Sequence, residues 1–146
     1  MPPFIHIAYA SEAVGTVSDV ALAALLKRAR IKNEALGVTG ILLMVDASFF
    51  QLIEGDPDAV SSLYELIAKD RRHKRVVKLI EEPIEKKDFA DWSMGLARAT
   101  SVDLTALPGF HDFIATRRTL DTLGEGMARR LLRAFQDGRW RARVEK

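Results

Sequence analysis

Apolar and polar residues alternate in short runs along the first hundred positions of the chain, and these runs predict strands. In Phe4–Ala10, Ile5, Ile7 and Tyr9 share one side of the chain, which is typical of a buried strand. Four further strands are predicted at Val38–Val45, Phe49–Glu54, Arg75–Glu81 and Trp92–Ala97. The second and third are expected to form a hairpin, and Pro83 is expected to end the fourth. The fifth is expected to present three side chains on one face, those of Trp92, Met94 and Leu96.

Helical periodicity separates these strands in two places. The first helix is predicted to be capped by Ser18, to run to about Leu36 and to end at Gly37. The second is predicted to begin with Asp56 at the cap and Pro57 at the first helical position. The apolar positions at helical spacing are Leu22, Leu25, Leu26, Ala29 and Leu36 in the first helix and Val60, Leu63, Tyr64 and Ile67 in the second.

The order of these elements predicts an α+β fold. Strand, helix, strand, strand, helix, strand is the ferredoxin-like βαββαβ arrangement, here with an additional fifth strand and with both helices on one face of the sheet. Beyond Thr100 the composition changes: Pro108-Gly109 indicates a linker, and an amphipathic helix is predicted from Leu120 to Phe135, ended by Gly138. We therefore divide the chain into a domain of residues 1–100 and a helical C-terminal extension of residues 101–146.

Composition and charge narrow the class of protein. The 146 residues are 48% hydrophobic and 29% charged, as expected of one globular domain, and they include no cysteine, which excludes disulfides, thiol catalysis and thiolate zinc sites. The sequence has no apolar run of the roughly 20 residues that a membrane helix needs, so a cytoplasmic protein is expected. Residues 1–110 hold 13 Lys and Arg against 15 Asp and Glu, and residues 111–146 hold 9 against 5. The basic character therefore lies in the tail, where it fits either a solvent-facing helix surface or a nucleic-acid contact.

Three polar side chains stand among apolar neighbours. Asn33 follows Leu22 by eleven positions, which at about 100° per residue leaves it only about 20° from the core direction, unless it is exposed at a fraying helix end. Gln51 lies between Phe49 and Ile53 on one strand face and is either a buried amide or an edge residue facing water. Tyr9, taken alone, fits the core. Together, two amides and a phenol on neighbouring elements suggest a pocket for a planar ligand with several hydrogen-bonding groups.

Signatures of catalysis are weak in this sequence. It contains no nucleophile elbow, no Walker A motif and no dinucleotide-binding G-x-G-x-x-G. His6, His73 and His111 lack the spacing of metal ligands. We therefore expect neither an enzyme nor a metal site.

Five short strings occur in one order along about residues 4–100. They are Tyr9-Ala10-Ser11, Asn33 with Gly37-Val38-Thr39-Gly40, Phe49 to Gly55, Asp70-Arg71-Arg72-His73, and Phe89 to Met94. In this order and spacing the chain resembles the BLUF domain, the blue-light sensor that uses FAD, in its short stand-alone form. The resemblance implies a flavin ring that lies between the two helices, against the sheet.

The resemblance also implies roles for individual residues. Asn33 matches an asparagine that hydrogen-bonds the polar edge of the ring, and Tyr9 and Gln51 match a hydrogen-bond chain to the flavin N5 and O4. Trp92 and Met94 match two residues near that glutamine that change position with the signalling state, and which of them is nearer the flavin stays open.

Four further positions are implied to lie near the ring edge, the ribityl chain or the phosphate. They are Lys32, Asp70, Arg72 and His73, and Lys32 could instead reach solvent. Lys32 and Leu66 depart from the family pattern, because many relatives have Asn or His at the first position and some have an arginine at the second.

The implied mechanism is light-driven electron transfer from Tyr9 to the flavin, with proton movement through Gln51 that leaves the glutamine rotated or tautomerised. Such a protein is a sensor and not an enzyme. The resemblance further implies a homodimer or larger homo-oligomer and a separate effector protein in trans, reached through Trp92 and Met94 and then the tail around Leu120–Phe135. No membrane partner is expected, and a nucleic-acid partner is disfavoured.

Two other functions fit part of the pattern. An RNA-binding module of the same βαββαβ order would also place aromatics on its first and third strands, here Tyr9, Phe49 and Phe50, but this chain lacks the basic-aromatic third-strand signature. A ferredoxin-like regulatory or structural domain that has lost its flavin would keep the same fold.

Overall fold

Five strands and four helices make up the parts of the chain that the structure describes. This computed structural model describes residues 2–13, 18–45, 48–70, 73–90, 92–104, 106–107, 110, 120 and 123–137. The strands are β1 (Phe4–Ala13), β2 (Thr39–Val45), β3 (Ser48–Gly55), β4 (His73–Ile84) and β5 (Gly95–Ala99). The helices are α1 (Asp19–Leu36), α2 (Pro57–Ala68), α3 (Ser101–Leu104) and α4 (Glu125–Gln136).

The strands form one sheet in the order β4-β1-β3-β2-β5. The first four are antiparallel to their neighbours, and β5 joins the edge parallel to β2. The prediction of an α+β fold with an additional fifth strand is confirmed.

Local capping chemistry sets the helix ends where the sequence predicted them. The Ser18 side chain accepts a hydrogen bond from the backbone N–H of Ala21 at 3.1 Å, and α1 ends at Gly37, whose φ of 69° is the left-handed conformation that glycine adopts most easily. The Asp56 carboxylate accepts from the N–H groups of Asp58 and Ala59 at the start of α2.

Each face of the sheet carries its own apolar core. The helix-side core lies under α1 and α2 and comprises Ile7, Leu22, Leu26, Val38, Leu42, Phe49, Ile53, Val60, Leu63, Met94 and Leu96. The opposite face carries the tail-side core, which joins sheet residues such as Phe50 and Ile80 to Phe89, Trp92 and the α4 residues Leu131 and Phe135. The described part of the tail therefore packs on the sheet face that α1 and α2 leave free.

Predicted boundaries of β1, β4, β5 and the last helix were wrong. β1 continues three residues beyond Ala10, to Ala13. β4 continues through Pro83 to Ile84, because β4 is an edge strand and an edge tolerates a residue without an N–H donor. β5 begins at Gly95, so Trp92 and Met94 precede the strand and its alternation does not apply to them. Helix α4 begins at Glu125, after Gly124, and the predicted end at Gly138 lies outside the described residues.

The predicted apolar stripe of α1 is also corrected at its end. Leu36 is 39% exposed, whereas Asn33 is buried with Leu22 and Leu26. The helical angle brings Asn33 under the helix and leaves Leu36 only about 40° from the direction of Leu22, so the exposure of Leu36 follows from its place as the last residue of α1.

Candidate functional site

One row of side chains crosses the sheet beneath α1 and α2. Tyr9 on β1 is directly opposite Gln51 on β3, Gln51 is opposite Leu42 on β2, and Leu42 is opposite Leu96 on β5. Directly opposed residues point to the same face of a sheet, and Leu42 and Leu96 belong to the helix-side core. The antiparallel register therefore makes Tyr9 and Gln51 neighbours, although they are far apart along the chain.

Tyr9 is held inside the domain. Its side chain is 2% exposed, and its ring meets that of Tyr64 on α2 edge to face, with centroids 5.6 Å apart. Burial, followed by the neighbouring Tyr64 and Asp70, raises the pKa of Tyr9 well above its ordinary value. The phenol consequently keeps its proton at neutral pH.

Gln51 is half-buried and is bonded to a soft partner. Its Nε2 donates to the Met94 sulfur at 3.3 Å. A thioether is a weak acceptor, so this contact is easily exchanged for a better one. The glutamine amide is thus positioned beside Tyr9, and its hydrogen bond to Met94 is too weak to fix its orientation.

Asn33 closes the site from α1. It is 2% exposed, and its Nδ2 donates to the Ser93 carbonyl at 2.6 Å. Arg30, one turn earlier on the same helix, donates from Nε to the Met94 carbonyl at 2.9 Å. Sequence reasoning missed Arg30, although its spacing of three from Asn33 places both on one helix face. The two side chains connect α1 to Trp92–Met94, the segment that precedes β5.

A second tyrosine and a lysine border the site, and neither was predicted to belong to it. Lys78 is opposite Tyr9 in the β1–β4 register, and its Nζ lies 4.8 Å from the centre of the Tyr64 ring. Lys78 also donates to Glu81 at 2.8 Å, and that hydrogen bond raises the pKa of Lys78. Tyr64 thus has a cation–π contact with Lys78 in addition to its edge-to-face contact with Tyr9.

The chemistry of these donors fits a planar heteroaromatic ring. A phenol and two carboxamides converge beneath α1 and α2, among the apolar side chains of the helix-side core. Carboxamides both donate and accept, as the polar edge of such a ring requires, and apolar walls suit its faces. The site is suited to binding and hydrogen-bond rearrangement.

Comparison with known proteins identifies the family. The model of the family BLUF, described as sensors of blue light using FAD, matches residues 4–95. The chain belongs to the BLUF family.

Solved BLUF structures cover nearly the whole chain. The dark-state structure of BlrB, a BLUF protein, is 31% identical with a TM-score of 0.72 and covers 94% of this chain and 98% of its own. The photo-activated state of BlsA is 27% identical with a TM-score of 0.78 and covers 98% and 99%. The fold of the described residues is therefore that of BLUF proteins of similar length.

Curated relatives are much longer proteins. The alpha subunit of a photoactivated adenylate cyclase from Euglena gracilis is 34% identical over 111 residues, which is 76% of this chain and 11% of that protein. A beta subunit from Euglena longa is 34% identical over 110 residues, or 75% and 13%. The chain spans about a tenth of the length of these relatives.

The structure separates the two residues implied to move. The Met94 sulfur contacts Gln51 in the helix-side core. Trp92 lies in the tail-side core, with its ring stacked on Phe89 at 5.6 Å and 14°. The predicted common face for Trp92 and Met94 is wrong, because Met94 lies next to the glutamine and Trp92 lies in the core on the other face of the sheet.

The remaining predicted site residues are placed less directly. Lys32 is exposed on α1, and Asp70 is half-buried after α2, close enough to act on the pKa of Tyr9. Arg72 lies outside the described residues, and His73 is described only as the first backbone position of β4. Leu66, where some relatives have an arginine, is 53% exposed.

The RNA-binding alternative is not favoured. An RNA-recognition sheet needs an open face with exposed aromatics, but Phe50 is fully buried in the tail-side core and Phe49 is 8% exposed beneath the helices.

Within the described residues, no helix is both long and apolar enough to cross a membrane.

Proposed function

We propose that this chain is a blue-light photoreceptor that binds FAD non-covalently between α1 and α2. The observation that carries the proposal is the direct pairing of Tyr9 with Gln51 across β1 and β3, with the Gln51 amide bonded to Met94. Asn33, Gln51 and Tyr9 would hold the polar edge of the ring. Lys32, Asp70, Arg72, His73 and Met94 complete the set of residues we assign to flavin contact.

The bound flavin supplies the absorption of blue light and the capacity to accept an electron; the remaining steps belong to the chain. Tyr9 is the donor in this proposal. Burial raises the pKa of its phenol, which is therefore protonated before it loses an electron. Because an oxidised phenol is a strong acid, loss of an electron is coupled to loss of the phenolic proton. Gln51 lies directly opposite and carries that proton, since an amide accepts at one end and donates at the other.

Return of the electron and the proton leaves Gln51 rotated or tautomerised. The weak hydrogen bond from its Nε2 to the Met94 sulfur opposes this change little. The segment that precedes β5 then loses one of its contacts with the site, while Asn33 and Arg30 still hold its carbonyl groups.

The output passes, we infer, from this segment to α4 and on to a separate effector protein. Trp92 shares the tail-side core with Phe135, and Gln136 on α4 donates to the Asp88 carboxylate at 2.8 Å. The chain is a sensor that consumes no substrate, acts as a homodimer or larger homo-oligomer, and works in the cytoplasm. In this reading, residues 1–100 form the photosensor domain and residues 101–146 form the output and dimerisation extension.

An absorption spectrum tests the proposal. The purified protein is expected to be yellow, to shift its flavin bands to longer wavelength under blue light, and to recover in the dark. Protein that stays colourless after reconstitution with FAD would refute the photoreceptor function and favour the flavin-free ferredoxin-like alternative.

The identity of the flavin needs a separate measurement. FAD is the cofactor in the description of the family, and the structure of one relative, BlrP1 from Klebsiella pneumoniae, is described with FMN. Flavin released by heating and separated by chromatography is expected to be FAD. Recovery of FMN alone from protein reconstituted with both would contradict the FAD assignment and leave the light response standing.

A further inference from the structure

Glu54 is a buried carboxylate that has no part in the proposed photochemistry. It lies on β3, three positions after Gln51, so its side chain points to the opposite face of the sheet. The residue is fully buried, and burial raises the pKa of its carboxyl group against the opposing effect of its hydrogen bonds. Burying a carboxylate costs free energy unless hydrogen-bond donors surround it, so the donors around Glu54 indicate its structural role.

Two of these partners are consecutive backbone N–H groups of one turn. Glu54 Oε2 accepts from the N–H of Asp88 at 2.9 Å, and Oε1 accepts from the N–H of Phe89 at 2.7 Å. Thr39 on β2 donates its hydroxyl to Oε1 at 2.9 Å. The turn belongs to the connection between β4 and β5 and is not part of a strand, so strand pairing does not fix it. Charge-assisted hydrogen bonds to both carboxylate oxygens fix it instead.

This turn positions Trp92. The Trp92 N–H donates to the Phe89 carbonyl at 3.0 Å, its ring stacks on the Phe89 ring, and its own carbonyl accepts from the N–H of Gly40 at 3.1 Å. Two residues later, the Met94 sulfur reaches Gln51. The carboxylate on one sheet face is thus connected to the glutamine on the other through seven residues of chain, Asp88 to Met94.

We propose that Glu54 is a positioning residue of the light switch: its carboxylate fixes the Asp88-Phe89 turn and thereby keeps Trp92 in the tail-side core and Met94 on Gln51. The inference rests on the photoreceptor function proposed above. Glu54 acts through the segment and does not touch the flavin. Because the Asp88 side chain also binds Gln136, the same turn connects the switch to α4.

The substitution Glu54→Gln tests this proposal with little change in volume. An amide offers one acceptor oxygen, so one of the two turn N–H groups loses its partner and faces an NH2 donor. We expect the variant to fold and to keep the wild-type flavin-to-protein ratio. Its dark-recovery rate should change about tenfold, the scale of one hydrogen bond to a charged group.

A second readout follows the position of Trp92 directly. In a Trp140→Phe background Trp92 is the one remaining tryptophan of the sequence. Its emission and its quenching by acrylamide should report a more exposed ring in Glu54→Gln than in the parent protein. Glu125→Gln makes the same chemical change at an exposed carboxylate that pairs with Arg129, and it should alter neither readout.

Unchanged dark recovery and unchanged Trp92 emission in folded, flavin-loaded Glu54→Gln would overturn the proposal. If that variant does not fold, Thr39→Val removes one donor and leaves the carboxylate and both turn N–H groups in place; it should shift both readouts in the same direction by a smaller factor, and no shift would overturn the proposal. If the parent protein takes up no flavin, the photoreceptor function fails, while the Trp92 measurement still decides whether Glu54 holds the segment.

Discussion

Single residues acquire their roles here from register and burial. Tyr9 is a core tyrosine by sequence, and what distinguishes it is its position opposite Gln51 and its contact with Tyr64. Gln51 in turn is distinguished by its hydrogen bond, in which its Nε2 donates to a weak acceptor, the Met94 sulfur. A phenol with a raised pKa beside an amide that can turn is the minimum that the proposed switch needs.

Removal of the Tyr9 hydroxyl should separate flavin binding from photochemistry. Tyr9→Phe keeps the ring that packs on Tyr64, so we expect a folded, yellow protein, but without the phenolic proton donor it should show no light-induced red shift. Difference spectra after blue illumination measure this. Tyr64→Phe is the matched control, because Tyr64 is an adjacent tyrosine outside the Tyr9–Gln51 pair, and it should keep the red shift. A normal photocycle in Tyr9→Phe would eliminate the assigned role.

Asn33 should matter for cofactor retention. Its amide is buried beneath α1 and in the proposed function bonds the ring edge, so Asn33→Ala would remove these polar contacts and also the hydrogen bond to the Ser93 carbonyl. We expect a lower flavin-to-protein ratio after gel filtration, corresponding to an affinity loss of about 1–3 kcal/mol. Glu34→Ala, at an exposed neighbouring position outside the assigned binding set, is the control and should retain flavin as the wild type does. Equal retention by Asn33→Ala and wild type would remove Asn33 from the binding set.

At the scale of elements, close packing of β2 against β3 requires a glycine. A Cβ at Gly40 would lie 2.1 Å from the Leu52 carbonyl oxygen, and the Gly40 N–H also holds the Trp92 carbonyl. The strand pair cannot accept a side chain there without a backbone shift, and the shift would also disturb the segment before β5.

Gly40→Ala should therefore destabilise the protein by about 1–3 kcal/mol or more, since overpacking on backbone atoms finds no flexible side chain to move. Thermal or urea unfolding measures the change. At Gly126 on α4 an added Cβ would meet nothing within 4 Å, so Gly126→Ala is the control and should be neutral or stabilising. Equal free energies of unfolding for Gly40→Ala and wild type would contradict the requirement for glycine at this position.

At the scale of the whole molecule, an ion-pair cluster joins the tail to the sheet. Arg129 on α4 donates to both oxygens of Glu82 on β4, at 3.1 and 2.9 Å, and His6 on β1 contacts the same carboxylate at 2.8 Å. These hydrogen bonds, that of Arg129 first, lower the pKa of Glu82. The cluster is partly exposed, so solvent weakens it.

This arrangement predicts an acid-sensitive attachment of α4. A carboxyl group whose folded-state pKa is depressed stabilises the fold above its ordinary value of 4.5, and that contribution is lost as pH falls through the depressed pKa. The difference in melting temperature between wild type and Arg129→Ala should thus be largest near neutral pH, begin to fall as pH approaches 4.5 and disappear once pH has fallen through the depressed pKa of Glu82. Arg98→Ala, which breaks the exposed Arg98–Asp19 pair at the other edge of the sheet, is the control. A difference that stays constant with pH would contradict the role of Glu82.

The sequence determined the elements and their chemistry, because these depend on neighbours along the chain. Ser18 and Gly37 set the ends of α1 through local hydrogen bonds and backbone freedom, and the helical angle alone placed Asn33 beneath the helix. The BLUF membership was likewise readable from five short strings. These features need no knowledge of which strand lies beside which.

Contacts between distant parts of the chain were decided only in the tertiary structure. The opposition of Tyr9 and Gln51, and the carboxylate of Glu54 on a turn more than thirty positions away, follow from strand order and register. Trp92 and Met94 lie on different faces because β5 begins only at Gly95, and no local pattern marks that start. Pairing energy between strands is non-local, so the sequence supplied the polar residues of the switch while the sheet decided which of them meet.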